Sequence, residues 1–512
     1  MSAKHIIRII AVIASVAIGT SAIADEFTMG NYDLVGSRSI TDNDGFTKKK
    51  VTKHGLAVKW TTATDGSVTS SPATFGNKVM VGDMNGNMYA FDTNDGSLIW
   101  QTCLEASCVG NGFPFRGIIG SPLVQGNSVY VGTLSGSLVA LKIKTGEVLW
   151  IHTPLVNPLA FGFIPLDAVW GGPIAIDDMI VYGLAPSDQF GFGVDARGAV
   201  LAVDKNTGAE IWRSLLISDA DFIAGSTGAP VWATTPTYSA ELGLIYVATG
   251  QDRNPAGGAV GSDSIFAIDA TDGTIIWQTQ VRTTNTWNVT LPFDPLAPVD
   301  TDFGQSPSVF KVNAQTMVAA GDKRGIFWVM DAQSGAILNN GGAGLDMFGG
   351  ILPGPGLTGG FNLDAGFVKH GNDVKHFAVF ADQSAALQDV ADMVFPWING
   401  ICFIGPPGPV CPVLPTGSVT VIEGNGSAEH CRFSVPGTEM FSPFHIDGMI
   451  LVRGAQIGNL YVVDFDDCSL IDSIAVPTGG SGGAAISISD GLVFTGGGFF
   501  GASGLTAIGI AN

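Results

Sequence analysis

The chain has 512 residues, 46% hydrophobic and only 13% charged, with a formal net charge of −21. That apolar content excludes a disordered polypeptide, which lacks enough buried surface to offset chain entropy. The acidic balance opposes nucleic acid and anionic membrane surfaces as partners.

Residues 1–24 read as an export signal: Lys4 and Arg8 precede the apolar run IIAVIASVAIG, and Ala22-Ile23-Ala24 gives a small-x-small cleavage site. The run is too short to span a bilayer, and no cysteine stands at the cleavage site, so no stable membrane anchor is expected. The mature chain, residues 25–512, is expected to be one domain, periplasmic or secreted. Without Lys4 and Arg8 it holds 22 basic against 45 acidic residues.

One phrase then recurs. YAFDTNDGSLIW ends at Trp100, ALKIKTGEVLW at Trp150, LAVDKNTGAEIW at Trp212 and FAIDATDGTIIW at Trp277; a decayed copy, WVMDAQSGAILN, ends at Asn339. Alternating apolar residues, a turn of Asp, Asn or Thr beside Gly, and a second apolar run describe strand, tight turn, strand. The closing Trp combines a large apolar body with one N–H donor, suited to locking one sheet onto the next. Intervals of 50, 62, 65 and 62 residues fit a four-stranded sheet plus a variable loop, the unit of a β-propeller. Beyond 340, strand patterns at 376–383, 448–454, 459–465 and 491–497 fill about three more units. The expectation is an all-β, eight-bladed propeller, with seven blades the alternative count. The segment ending at Trp60 would complete the last blade at ring closure. The stretches 340–365 and 394–416 read as long loops over one mouth of the ring.

Six cysteines in an exported chain suggest disulfides. Cys103 and Cys108 are close enough to bridge locally; among Cys402, Cys411, Cys431 and Cys468, the pairing 402–411 with 431–468 is one of three. There is no Cys-x-x-Cys-His, hence no covalent haem site, and no Cys/His cluster has zinc spacing. The histidines show no ligand spacing.

The repeat with its terminal Trp resembles the docking motif of quinoprotein alcohol dehydrogenases, which bind pyrroloquinoline quinone (PQQ) and usually calcium. Within residues 226–331, the blocks GAPVWATTPTY, YVATGQ, SDSIFAID, TWNV, DFGQSP and GDKRGIFWVMD resemble, in order and content, the polyvinyl-alcohol dehydrogenase branch of that superfamily. The resemblance covers roughly residues 55–340. It implies an exported PQQ-dependent dehydrogenase that passes a hydride equivalent from an alcohol, polymeric or secondary, to the quinone. Electrons would leave to a separate cytochrome or other acceptor.

It also implies residue roles. Trp232 corresponds to the family's floor tryptophan, with ordinary blade packing as the alternative. Arg116 matches an arginine to a PQQ carboxylate, and Cys103 with Cys108 lies near where family members cover the cofactor's other face. Lys323 matches the basic residue at the quinone oxygens; a surface hairpin lysine is the alternative. The calcium positions fall on Asp188 and Gln189, and on Gln251 in place of an asparagine. Two departures weaken the match: Gln189 replaces a carboxylate, and calcium affinity follows carboxylate count. Asn288, after Trp287, replaces the catalytic aspartate, and an amide cannot accept the alcohol proton. Asp300 and Asp302 are the nearest carboxylates, and Asp302 or a water is the provisional base. These losses keep a second reading open, a cofactor-free propeller binding protein or polymer in the cell envelope, like the propeller lipoprotein of outer-membrane assembly.

Overall fold

The computed structural model describes residues 26–40, 45–109, 116–157, 167–186, 195–232, 234–251, 260–282, 302–339, 345–346, 360–361, 365–370, 373–381, 403–405, 408–410, 416–436, 442–454, 458–478, 485–498 and 503–511. The export signal, Asp188, Gln189, Asn285, Asn288, Asp300, Cys402 and Cys411 lie outside them.

Eight sheets follow one another along the chain, their consecutive strands antiparallel, with Ser39–Ile40 added in parallel to the seventh. Blades 1 to 5 take residues 73–103, 123–152, 167–215, 237–280 and 308–346; blade 6 spans 360–436, blade 7 444–475 and blade 8 486–510. Ring closure is as expected: strand Leu56–Thr62 pairs antiparallel with Leu505–Ile510, opposing Trp60 to Ala507, and becomes the outer strand of blade 8. A separate hairpin, Phe403–Gly405 with Gly408–Val410, falls in the stretch read as a loop. Within a blade the third strand, such as Asn87–Asp92, is buried at nearly every position, whereas the outer strand Leu98–Cys103 buries mainly Trp100. The core is correspondingly divided into apolar layers between neighbouring blades, as in the layer of Met80, Ala90, Trp100, Val129 and Leu141 between blades 1 and 2.

The tryptophans hold these layers in register. Trp60, Trp100, Trp150, Trp212 and Trp277 each donate Nε1–H to a turn carbonyl of the next blade: Thr93, Ile143, Lys205, Ala270 and Ala332, at 2.9–3.2 Å. The turn glycine lies flat on the indole. Gly96 has φ +73°, and a Cβ there would lie 2.6 Å from Trp60 Cε3, so both conformation and space require glycine. Gly146, Gly208, Gly273 and Gly335 repeat the contact. At about 25 cal/mol per Å², an indole burying roughly 200 Å² contributes about 5 kcal/mol as an upper bound, against about 1 kcal/mol for the hydrogen bond. Burial supplies the adhesion and the N–H fixes the register.

The remaining interfaces use substitutes at the same position. Asn339 of blade 5 is buried and donates Nδ2–H to Phe327 O (2.7 Å) and across to Gly426 O of blade 6 (3.3 Å). Between blades 6 and 7 stands the disulfide Cys431–Cys468. Cys431 follows the outer-strand bulge as Trp100 does, and Cys468 closes the turn onto Asp464 as Gly96 closes onto Asp92, with φ +56°. A covalent bond therefore replaces an indole–glycine pair. Between blades 7 and 8, Asp472 Oδ2 accepts from Leu56 N at 2.9 Å.

A collar from the N-terminal segment adds a second tie. Carbonyls of Phe27, Thr28, Leu34, Val35, Ser37 and Arg38 accept from Thr74, Val124, Tyr238, Val309, Phe367 and His445, the second residue of the innermost strand in six blades. Arg38 is fully buried and donates Nε–H to Pro443 O at 2.9 Å.

Two predictions follow from these ties. Reductant should lower the thermal midpoint of the wild type, and Cys431→Ser/Cys468→Ser should cost about 2–4 kcal/mol. Cys431→Trp/Cys468→Gly, which rebuilds the indole–glycine pair, should recover most of the loss and be less sensitive to reductant than the wild type, the Cys103–Cys108 bridge remaining in both; calorimetry with and without dithiothreitol decides. Separately, His376 is buried among Phe310, Phe327 and Phe367, and burial pushes its pKa down to about 4. The neutral ring is favoured in the fold, so its contribution is complete above pH 6.5 and lost as pH falls toward 4, on the order of 3 kcal/mol. His376→Gln should flatten that part of the stability–pH curve in urea titrations.

Candidate functional site

The site residues come from two kinds of loop at one mouth of the ring. One kind leads into each innermost strand; the other joins the second and third strands of a blade. Adjacent blades pin these loops through a notch. Gly82, Gly132 and Gly496 end second strands and Gly183 lies within one, and a Cβ at any of them would meet Ile118, Val169, Val68 or Val231, respectively, of the next blade's lead-in segment at 2.1–2.7 Å. Three of those apolar residues also donate N–H to the residue after the glycine: Ile118 to Asp83 O, Val169 to Thr133 O, Val231 to Leu184 O. Below, a ring of hydroxyls continues the tie, with Ser121 Oγ accepting from Ser71 N, Thr235 Oγ1 from Gly172 N and Ser306 Oγ from Thr235 N.

Trp232 follows notch residue Val231 and leads into blade 4. Asp302 leads into blade 5, and Lys323 stands on the blade 5 turn after Gly321. The three meet. Lys323 Nζ is 2.9 Å from Asp302 Oδ1 and 4.2 Å from the centre of the Trp232 ring, while Trp232 Nε1–H donates to Asp302 Oδ2 at 2.9 Å. Lys323 N also donates to Asp302 O. Asp302 is fully buried and Lys323 is 5% exposed, so the ammonium is no surface hairpin lysine. An ion this far from water requires a counter-charge, which Asp302 provides, and the indole face adds cation–π attraction. Gly250 closes the cluster from blade 4, since a Cβ there would lie 2.8 Å from Trp232 Cδ1 and 2.9 Å from Asp302 Oδ2. Gln251 comes next in the chain and is buried.

Beneath Lys323, Asp322 builds the turn. It is fully buried, accepts from Ile326 N and Trp328 Nε1 at 2.9 Å, and pairs with Arg282 Nη2 at 3.3 Å. Burial holds its carboxyl above the ordinary carboxylate range, although Arg282 opposes the shift. Sequence reasoning passed over Asp322, Arg282 and Gly250; a buried acid opening a D-x-x-G turn, as Asp83 also does, was the available signal. It also missed the hydroxyl ring, legible as a Ser/Thr-Pro pair before successive inner strands: Ser71-Pro72, Ser121-Pro122, Thr235-Pro236, Ser306-Pro307.

Three other expected site residues come from the blade 1 outer strand and the loop after it. Cys103 and Cys108 form the expected local disulfide, which ties the end of blade 1's outer strand to the loop that follows. Arg116 is exposed near the end of that loop and attracts Glu105, whose carboxyl burial holds up. Of the calcium positions only Gln251 is described, and no three His, Cys, Asp or Glu residues converge among the described residues. The described residues do not by themselves build a calcium cage.

Eight docked blades with an aromatic–cationic cluster at the axial mouth define a quinoprotein-type β-propeller. Comparison with known proteins agrees. The family model for glucose/ethanol/alcohol dehydrogenase, beta-propeller domain, matches residues 168–340, and that for outer membrane protein assembly factor BamB matches 51–177. A polyvinylalcohol dehydrogenase from a Pseudomonas species is 27% identical over 26% of this chain, a stretch that spans only 23% of that relative. Among solved structures, the quinohemoprotein alcohol dehydrogenase of Comamonas testosteroni superimposes with a TM-score of 0.69 at 17% identity, covering 95% of this chain and 81% of that one. A europium-containing methanol dehydrogenase gives 0.68 at 14% identity, covering 94% and 98%. The chain thus resembles the quinoprotein alcohol dehydrogenase-like β-propeller superfamily, with family-model matches over residues 51–177 and 168–340 and the same fold in the solved structures. Among the described residues no helix is long and apolar enough to cross a membrane.

The ion pair yields a prediction. Asp302→Ala leaves a buried ammonium without its counter-charge and should destabilise the protein by about 3–5 kcal/mol. Asp302→Ala/Lys323→Met removes both charges and should recover a large part of that loss in urea titration. Equal losses would show that the two residues are not energetically coupled.

Proposed function

We propose that this protein is an exported, PQQ-dependent alcohol dehydrogenase acting on a secondary or polymeric alcohol. The observation that carries the reading is the buried Lys323 ammonium poised over the Trp232 face. A flat aromatic surface with a fixed cation beside it suits a planar polyanion. Bound PQQ would supply an ortho-quinone able to accept a hydride equivalent from the alcohol carbon.

The chain's own residues then have separable tasks. Trp232 presents the floor. Lys323 places positive charge where the quinone oxygens gain electron density, the kind of preorganised stabilisation that lowers a barrier most. Arg116 would meet a carboxylate, and the Cys103–Cys108 loop would lie over the opposite face. Asp302 has both carboxylate oxygens engaged, by Lys323 and by Trp232, and no exposed surface. We assign it to positioning those two groups, which leaves the alcohol proton to water. Asp188, Gln189 and Gln251 remain the proposed calcium ligands. Electrons would pass to a separate cytochrome or other acceptor, in the periplasm or outside the cell.

The test is direct. Purified protein is titrated with PQQ and calcium, followed by absorbance, and then assayed for dye-linked oxidation of primary, secondary and polymeric alcohols. Lys323→Ala should lower turnover about 100-fold, and Trp232→Ala should weaken PQQ binding about tenfold. Failure of the wild type to bind micromolar PQQ would overturn the proposal in favour of a cofactor-free scaffold. That second reading draws on the assembly-factor match over residues 51–177.

A further inference from the structure

We infer that Trp170 is a positioning residue of this site, acting by fixing the plane of Trp232 before a ligand arrives. The inference rests on the cofactor site proposed above. Val169-Trp170 and Val231-Trp232 hold the same slot in successive blades. Each valine fills a glycine notch, at Gly132 and Gly183, and each donates its N–H to the blade before, to Thr133 O at 3.0 Å and Leu184 O at 3.1 Å. With the valines turned into the notches, the two following indoles meet, their centroids 6.4 Å apart and their planes at 82°. Such an edge-to-face pair sets the electropositive edge of one ring against the electron-rich face of the other.

The two rings are not equally held. Trp170 is 7% exposed and packs in one apolar group with Met84, Leu134, Ala168 and Ala185, contributed by blades 1, 2 and 3. Trp232 is only half-buried and reaches that group from its edge. Its Nε1–H bond to Asp302 fixes one point of the indole, Gly250 lies close to Cδ1, and the Lys323 ammonium stands over the ring centre. The perpendicular ring of Trp170 adds the aromatic contact that resists tilting of the plane. In the same slot blade 2 carries Ile119 and blade 5 carries Gly304, so among blades 2 to 5 the large rings stand side by side in blades 3 and 4. A floor held in one orientation loses less freedom when a flat ligand stacks on it, which tightens binding through preorganisation. Charge is thus positioned from blade 5 by Asp302, and the aromatic plane from blade 3 by Trp170.

The experiment uses full-length mature protein labelled with 5-fluorotryptophan. The ¹⁹F resonance of Trp232 is assigned by its disappearance in Trp232→Phe. Trp170→Leu keeps apolar bulk but removes the ring. It should shift or broaden the Trp232 resonance, leave the docking tryptophans in place, and weaken PQQ binding about tenfold. Trp170→Phe, which retains a ring edge, should restore a large part of both and serves as the test if Trp170→Leu does not fold. An unchanged Trp232 resonance in Trp170→Leu would overturn the inference, as would unchanged affinity in a folded variant. If the wild type binds no PQQ, the cofactor proposal fails, while the ¹⁹F result still decides whether Trp170 fixes Trp232.

Discussion

The constraint behind the whole structure is that a twisted four-stranded sheet cannot bury both faces by itself. Each blade must be pressed on by two neighbours, and the neighbours must stay in register around a closed ring. The indole–glycine contact meets both needs at five interfaces. Its area supplies adhesion, and its single N–H selects one carbonyl of the next turn, so a slip would bury an unpaired donor. The glycine is required because the indole lies where a Cβ would be.

The site inherits its precision from that ring. Lead-in loops carry little strand pairing of their own, chiefly Asp167–Ala168 with Ala185–Pro186, yet they are clamped at both ends. Glycine notches and backbone bonds hold the upper part, hydroxyl-to-amide bonds the lower. Trp232, Asp302 and Lys323 come from two neighbouring blades, so docking those blades also assembles the cluster. Trp277 of blade 4 bonds to Ala332 of blade 5 and thereby sets the distance across which Trp232 meets Lys323. The Lys323–Asp302 pair then satisfies the desolvated charge that this assembly creates.

The fold was legible because its determinant is local and repeated. Trp, Gly and alternating apolar residues recur at a spacing that admits few architectures, and the closure of blade 8 by the strand at Trp60 could be read from the stray VKW alone. The cluster was legible in part. Trp232 and Lys323 were chosen through resemblance, and Asp302 as a nearby carboxylate, but their mutual contact depends on two loops 70 and 91 residues apart along the chain from Trp232. Sequence offers Asp302 or a water as the base, since it shows an acid and not what meets its two oxygens. Trp170 carried no signal of its own, although the repeated Val-Trp before successive inner strands becomes informative once the notch glycines are known. Asn339, Cys431 and Asp472 look like decay of the repeat, and only register shows that they occupy the docking position.

That last point separates two halves of the ring. The five indole contacts run without a break from blade 8 through blade 5, and the family models match within the same half, residues 51–340. The candidate cluster lies there, between blades 4 and 5. The other half is joined by an amide, a disulfide and a carboxylate, and it carries the long stretches between blades 5 and 7. A docking tryptophan demands a glycine turn of fixed geometry in the next blade. A disulfide demands only two facing sulfurs, and an amide or carboxylate only one donor or acceptor within reach. Replacing the indole therefore frees neighbouring turns and loops to vary in length without opening the ring. The half that holds the aromatic–cationic cluster carries the strict motif, and its docking geometry reaches the site through the contact of Trp277 with Ala332.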